Sequence, residues 1–353
     1  MTRVIFPEED DAILRYLEDD GDQIEPEYYI PIIPMLLVNG AEGIGTGWSC
    51  SIPAYHPLHI IDNLMRCLDS DPLQEMMPWY AGFSGRVVKL DESRCLSIGS
   101  IRLVGNHLKI TELPVGKWTS DYKEFLDEMC SSKKGDRVIQ SFKEHHSEHT
   151  VDFQLTLTAV GKKFVQNHLS EHEDLVNHFK LSRTLATTNM HAFGANGQLK
   201  LYQDPRQIIE EFAKVRLDAY EARRLSLLAK LQQEHQKVAN RCRFAEAVVT
   251  EQIKVMNQPR DQIIQSLKDL GFDPKPGSGS ESDGGFSYLL NTSIFDFSQE
   301  RIDKLREEQT RLEKNILEIE STTNVRMYKK ELRQLRIALQ KLPQFKTTTP
   351  DPL

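Results

Sequence analysis

Two long, charge-rich and glycine-poor stretches carry an apolar rhythm that leaves few alternatives to paired helices. After Pro205, the residues Ile208, Phe212, Val215, Ala219 and Ala222 step by 4-3-4-3. Farther on, Ile302, Leu305, Gln309, Leu312, Ile316 and Ile319 step by 3-4-3-4-3, and Leu332, Leu335, Leu339 and Leu342 resume the pattern. Residues spaced alternately three and four apart share one helix face, and that face must be covered. Between the stretches, residues 274–285 consist of proline, lysine, glycine, serine and acids. Such a composition cannot build a core and predicts a flexible loop. The two helices, with a helical cap beside the loop, are expected to fold back as an antiparallel pair.

The first two hundred residues are patterned differently. Ile13, Leu14 and Leu17 fall at helix spacing within Asp11–Asp20, and Asp20-Gly21-Asp22 marks a turn. Met35-Leu36-Leu37-Val38 follows two prolines and reads as a buried strand. Ile60, Ile61, Leu64 and Leu68 predict a helix, as do Tyr122, Phe125, Leu126 and Met129 within 119–129. Residues 87–90, 101–104, 108–111 and 151–157 alternate as strands joined by turns. This half therefore reads as α+β.

Composition narrows the function. With 44 Lys+Arg against 52 Asp+Glu, the net charge of -8 gives no overall basic field, so any DNA contact must be local. No apolar run is long enough to cross a bilayer, and the acidic N-terminus does not read as a secretory signal. The 5 cysteines form no Cys-x-x-Cys pair, which fits a reducing intracellular setting rather than a zinc finger or disulfide scaffold. His145, His146 and His149 lack a second ligand cluster and read as a solvated loop; the pairs Asp10-Asp11 and Asp19-Asp20 read as solvated acids. Hydrolase, metalloprotease and protein-kinase signatures are absent from the sequence.

One segment stands apart: Asn39-Gly40-Ala41-Glu42-Gly43-Ile44-Gly45-Thr46-Gly47-Trp48. It has neither the lysine of a phosphate-binding loop nor dinucleotide-binding spacing. The plain reading is a tight turn that lets Trp48 pack. The sharper reading starts from Ile44, a bulky apolar side chain between Gly43 and Gly45, which such neighbours present rather than bury. Presented apolar side chains are what DNA-bending proteins push between base steps.

Residues 25–53, from Glu25-Pro26-Glu27-Tyr28-Tyr29 through Gly43-Ile44-Gly45-Thr46-Gly47-Trp48-Ser49-Cys50, resemble eukaryotic DNA topoisomerase II. Three further signatures in the same order support the resemblance: Glu112-Leu113-Pro114 with Trp118-Thr119, Phe179-Lys180-Leu181 with Thr188-Asn189-Met190, and Phe286-Ser287-Tyr288-Leu289-Leu290. The likeness covers nearly the whole chain. It implies an α+β organisation with part of a winged-helix DNA-binding domain at 1–56, a mixed α/β tower domain at 57–205, and an antiparallel coiled coil with a helical exit-gate cap at 206–346. A short tail, 347–353, would follow.

The resemblance implies DNA-binding roles for Ile44, Gly43 and Gly45, with Ile44 inserted into bent duplex DNA. It implies a homodimer through the coiled coil, no membrane association, and a nuclear setting in chromosome segregation. The whole enzyme would pass one double-stranded DNA through another, relaxing and decatenating it with ATP and Mg2+, neither of which is expected in this chain. The catalytic tyrosine of the family is expected upstream of Met1, in a portion that also carries the ATPase. Arg15-Tyr16 imitates the catalytic dipeptide at the wrong place, so Tyr16 is not expected to be a nucleophile and no catalytic residue is assigned. Phe295 stands where the family commonly has tryptophan. The alternative is a non-catalytic DNA-bending or coiled-coil scaffold protein derived from such an enzyme.

Overall fold

The computed structural model describes residues 1–131, 137–168, 172–274 and 284–345. The expected flexible loop therefore lies largely outside the described residues, as does the tail. Two compact units emerge, one made of Met1–Pro7, Ile30–Arg216 and Lys329–Leu353, the other of Glu8–Tyr29 and Leu217–Tyr328.

The chain opens with α1 (Thr2–Ile5) and a 3-10 helix, Glu8–Ile13, followed by β1 (Tyr16–Asp19) and β2 (Asp22–Pro26). This corrects the expected Asp11–Asp20 helix. Asp20 and Gly21 adopt φ of 50° and 87°, the hairpin turn that commits both flanks to extended backbone. A second correction follows: α2 (Met35–Asn39) is helical, not a strand. Pro34 precedes it, Gly40 at φ 68° ends it, and only Leu37 within it is buried, so one turn suffices to hide one side chain. Next come β3 (Ala41–Ile44) and β4 (Ser49–Ile52), which pair only with each other, and α3 (Pro57–Asp69), whose buried Ile60, Ile61 and Leu64 match the expected face. His56 caps α3, its Nδ1 accepting from the Leu58 N–H. Burial, reinforced by the charge of His59, lowers the His56 pKa to about 4.

The remaining strands are β5 (Arg86–Lys89), β6 (Arg94–Ile98), β7 (Ser100–Val104) and β8 (His107–Glu112), then helix α4 (Thr119–Ser131), then β9 (Ile139–Glu144) and β10 (Phe153–Leu157). Helices α5 (Ala159–Asn167) and α6 (His172–His178) lead to β11 (Ser182–Ala186), β12 (Met190–Phe193) and β13 (Leu199–Tyr202). One antiparallel sheet runs β7-β8-β10-β9 and another β11-β6-β5, while β12 and β13 form a hairpin. Phe153, Leu155 and Leu157 of β10 alternate inward and meet Tyr122 and Leu126 of α4, Val165 of α5 and Phe179. The Tyr122 hydroxyl donates to the Phe179 carbonyl at 2.9 Å, so its burial leaves no polar atom unmatched there. Trp118, just before α4, stays 75% exposed.

Gly161 shows how packing overrides propensity. Alanine is worth about 1 kcal/mol more than glycine inside a helix. A Cβ here, however, would lie 2.0 Å from the Val138 carbonyl oxygen. Gly161→Ala is therefore expected to destabilise the chain by at least about 1 kcal/mol, measured by urea unfolding, against the sign that propensity predicts.

The long helix α7 (Pro205–Val249) spans 45 residues. It stops at Val249, where Glu251 turns left-handed with φ 58° and the Thr250 hydroxyl bonds back to the Glu246 carbonyl. In its first half the expected seam holds in part: Ile208 and Ala219 are buried, Phe212 is half-buried, and Val215 and Ala222 are exposed. A second buried line, Ile209, Ala213, Arg216, Tyr220 and Arg223, runs one residue along from it. The rhythm is the expected one, but two of the buried positions are arginines. Arg223 Nε donates to Asp10 Oδ1 at 2.7 Å with both side chains under 5% exposed, and Arg216 reaches the Ile30 carbonyl at 3.4 Å. Asp10 is thus a core residue of its unit rather than a solvated acid.

Beyond α7 lie α8 (Arg260–Asp269), α9 (Ser287–Leu290), α10 (Gln299–Ser321) and α11 (Asn324–Gln340). The α10 seam is as expected: Ile302, Leu305 and Leu312 pack against Val238, Cys242 and Ala245. Arg306 pairs with Glu246 and Glu313 with His235, so α10 runs antiparallel to α7. Tyr328 stacks on Tyr220 with ring centroids 4.8 Å apart. Leu332, Leu335 and Leu339 of α11 are buried as expected, and Arg336 and Lys329 pair with Asp62 and Asp69 of α3.

Candidate nucleic-acid interface

The glycine-rich segment folds as the β3–β4 hairpin. Gly40 sets its base: at φ 68°, a Cβ would sit 2.8 Å from the Ile52 carbonyl oxygen and 3.0 Å from the Ala54 nitrogen. Only glycine tolerates that combination. Antiparallel pairing matches Ala41 with Ile52, Glu42 with Ser51, Gly43 with Cys50 and Ile44 with Ser49. The tip is closed by Gly45 N–H donating to the Trp48 carbonyl at 2.8 Å, and Gly47 supplies φ 84°.

Ile44 ends β3 with 94% of its surface exposed. A buried isoleucine gains roughly 2–3 kcal/mol over one left in water, and here none of that is realised. Gly43 and Gly45 are spared by nothing in the fold, since a Cβ at Gly43 would meet no atom within 4 Å and one at Gly45 only the Trp48 carbonyl at an ordinary 3.7 Å. Trp48 is 60% exposed and touches His191 edge-on, the centroids 5.3 Å apart. The plain reading, a tight turn that lets Trp48 pack, accounts for the Trp48–His191 contact but not for the exposure of Ile44.

The hairpin is braced from β12 and the turn before it. The Ser51 N–H donates to the Asn189 carbonyl at 2.8 Å, and Asn189 Nδ2 donates to Ser49 Oγ at 2.8 Å. Asn189 Oδ1 lies 2.7 Å from His191 Nδ1. An amide oxygen only accepts, so His191 carries its proton on Nδ1. Burial pushes the Cys50 thiol above its ordinary pKa, opposed by a hydrogen bond from the His191 backbone, so it is a poor nucleophile at neutral pH. At the hairpin base, a cleft of about 210 Å³ is lined by Gly40, Glu42, Tyr80, Gly116 and Arg183. Arg183 donates to the Gly116 carbonyl at 2.5 Å and lies 3.9 Å from Glu42, the hairpin's one charged side chain. The tip itself is uncharged. The residues Asn189, His191 and Arg183 were not singled out as site residues from sequence; the Thr-Thr-Asn turn between two strands was the available signal.

The other candidates are placed elsewhere. Tyr16 lies on β1, its hydroxyl donating to the Asp11 carbonyl at 3.2 Å, rather than on the helix expected for it. His145 and His149 are exposed, whereas His146 accepts from the Asp152 N–H at 3.0 Å. Among the described residues, no group of three or more His, Cys, Asp or Glu could hold a metal ion.

A second surface stands out at the cap. Phe244, Ile253, Leu267, Phe272, Phe286 and Leu289 form its core. Met256 and Ile294, 84% and 78% exposed, line one cleft of about 900 Å³ with Ile263 and Leu290, and Phe295 beside them is 87% exposed.

Comparison with known proteins places these features in context. Residues 1–335 match the DNA gyrase/topoisomerase IV A-subunit family. The chain is 37% identical over 349 residues to the Dictyostelium discoideum protein named DNA topoisomerase 2, mitochondrial, covering 97% of this chain and 26% of that protein. It is 34% identical to the Plasmodium falciparum DNA topoisomerase 2, covering 96% of this chain and 26% of that protein. It thus spans about a quarter of the length of these relatives. The crystal structure of the Plasmodium falciparum topoisomerase II DNA-binding, cleavage and re-ligation domain superposes with a TM-score of 0.83 at 34% identity, covering 96% of this chain and 48% of that one.

Proposed function

The chain belongs to the DNA gyrase/topoisomerase IV A-subunit family, and on that premise we propose that it is the part of a type II DNA topoisomerase that grips and bends one duplex and joins two protomers. The observation that carries the DNA-bending role is Ile44, 94% exposed at a hairpin tip between two glycines that the free fold does not require. Gly43 and Gly45 let the backbone approach the duplex closely while Ile44 enters between base steps. In this reading residues 1–56 are the remnant of a winged-helix domain that carries the intercalating loop, 57–205 the tower, and 206–346 the coiled coil and exit gate. The whole enzyme would pass one duplex through another with ATP and Mg2+. On the family resemblance we assign the tyrosine nucleophile, the nucleotide and the metal to other parts of it. The nucleus is the compartment we propose, on the family resemblance; one relative is named mitochondrial. The scaffold alternative has no observation in its favour beyond those the topoisomerase reading uses.

The test is the bend angle of an end-labelled duplex, read by energy transfer with the full chain at saturation. Ile44→Ala removes about three buried carbons, worth roughly 2 kcal/mol or about 30-fold in the bent-to-straight ratio. Thermal stability should stay within about 0.5 kcal/mol of wild type, since the side chain packs on nothing. Equal bending by both proteins would remove the wedge role.

The homodimer is proposed through the coiled coil and exit gate, 206–260 and 300–345, in which α10 packs on α7 within the chain. The dimer contact we propose is the exposed apolar surface of the cap around Met256 and Ile294, meeting its copy across a two-fold axis.

A further inference from the structure

We propose that Asn189, working through Ser49, His191 and Trp48, is a positioning residue that sets the pose of the Ile44 wedge; this rests on the DNA-bending reading above. The hairpin needs such a device. Its strands are four residues each and pair only with one another, and an isolated two-stranded ribbon is marginal in water. Every residue from Glu42 to Ser49 is exposed, so burial cannot fix the tip. Asn189 supplies the missing constraint from outside the hairpin. Its Nδ2 holds Ser49, the direct cross-strand partner of Ile44, at 2.8 Å, and its carbonyl holds the Ser51 N–H at 2.8 Å. Its Oδ1 accepts from His191 Nδ1 at 2.7 Å, which fixes the ring that meets Trp48 edge-on. Trp48 in turn closes the tip through its carbonyl bond to Gly45, the residue after Ile44. Both polar ends of one side chain thus control both strands of the hairpin, one directly and one through the aromatic contact. Preorganisation of this kind lowers the ordering cost of insertion without adding a contact to DNA.

Two readouts test this with the full chain. In a Trp79→Phe, Trp118→Phe background, Trp48 is the remaining tryptophan, and Asn189→Ala should lower its fluorescence anisotropy in the absence of DNA. On an end-labelled duplex, Asn189→Ala should cut the bent-to-straight ratio about tenfold while leaving affinity within about twofold, because the residue orders the wedge rather than touching phosphate. The same substitution in an Ile44→Ala chain should remove nothing further, an outcome that general loosening of the fold would not give. Bending by Asn189→Ala equal to wild type, while Ile44→Ala bends less, overturns the proposal and leaves the wedge standing. Equal bending by wild type and Ile44→Ala overturns the wedge and the proposal together. Should Asn189→Ala melt early, His191→Ala serves instead, with a smaller loss of bending expected and an unchanged bend contradicting the proposal.

Discussion

Met256→Asp combined with Ile294→Asp is expected to convert the chain from a dimer to a monomer at micromolar concentration. Both side chains are largely in water in the single chain, so their replacement leaves the cap core of Phe244, Leu267, Phe286 and Leu289 untouched. In a two-fold contact each substitution acts twice. Burying one such side chain contributes about 1.5–3 kcal/mol, and an unpaired carboxylate in the same place adds a desolvation penalty. The combined loss of at least about 5 kcal/mol raises the dimer dissociation constant by more than about 1,000-fold. Sedimentation velocity checks this. A wild-type monomer at micromolar concentration, or an unchanged dimer in the variant, would contradict the cap interface.

Asp10→Ala is expected to be the most damaging single change to folding. It deprives the Arg223 guanidinium, 1% exposed, of the carboxylate it faces at 2.7 Å. Removing one partner of a buried pair costs roughly 3–5 kcal/mol, because the remaining charge keeps less compensation away from water. The neighbouring ring of Tyr220, 4.6 Å from the guanidinium, can hold a cation but does not replace the anion. Replacing both partners should be milder: Asp10→Ala with Arg223→Met is predicted to recover at least half of the loss, since an apolar pair of similar volume buries no charge. Urea unfolding of the two variants gives the comparison. A loss under about 1 kcal/mol for Asp10→Ala would mean that the pair is incidental.

The same arginines explain what sequence reading reached and what it missed. Along the first half of α10 apolar residues and buried residues coincide, and Ile302, Leu305 and Leu312 were legible from spacing alone. In the first half of α7 they coincide only in part: Ile208 and Ala219 of the expected seam are buried, but Arg216 and Arg223 look like surface residues, so the line Ile209, Ala213, Arg216, Tyr220 and Arg223 was not read. A partner such as Asp10, more than two hundred positions before Arg223, lets an arginine be a core residue. Short elements were misread for a related reason. Met35–Asn39 is too brief for periodicity to separate a helical turn from a strand, and the adjacent hairpin already satisfied its own pairing.

The site divides in the same way. Ile44 was legible because its two glycine neighbours are a local signal, and the 94% exposure agrees with it. The proposed role of Asn189 and His191 was not, because it rests on a hydrogen bond to Ser49 and a ring contact with Trp48 that span some 140 residues of sequence. A brace has no local signature; the fold alone shows which side chain it holds.

The most direct test of the central claim, that Ile44 enters the DNA stack, is 2-aminopurine fluorescence scanned step by step along a duplex bound by the full chain. The base is quenched while stacked and brightens when a neighbour is wedged away. Brightening confined to the inserted step, and lost in Ile44→Ala at equal occupancy, is the predicted result. Uniformly quenched duplex, or the same brightening with alanine in place of Ile44, would contradict it.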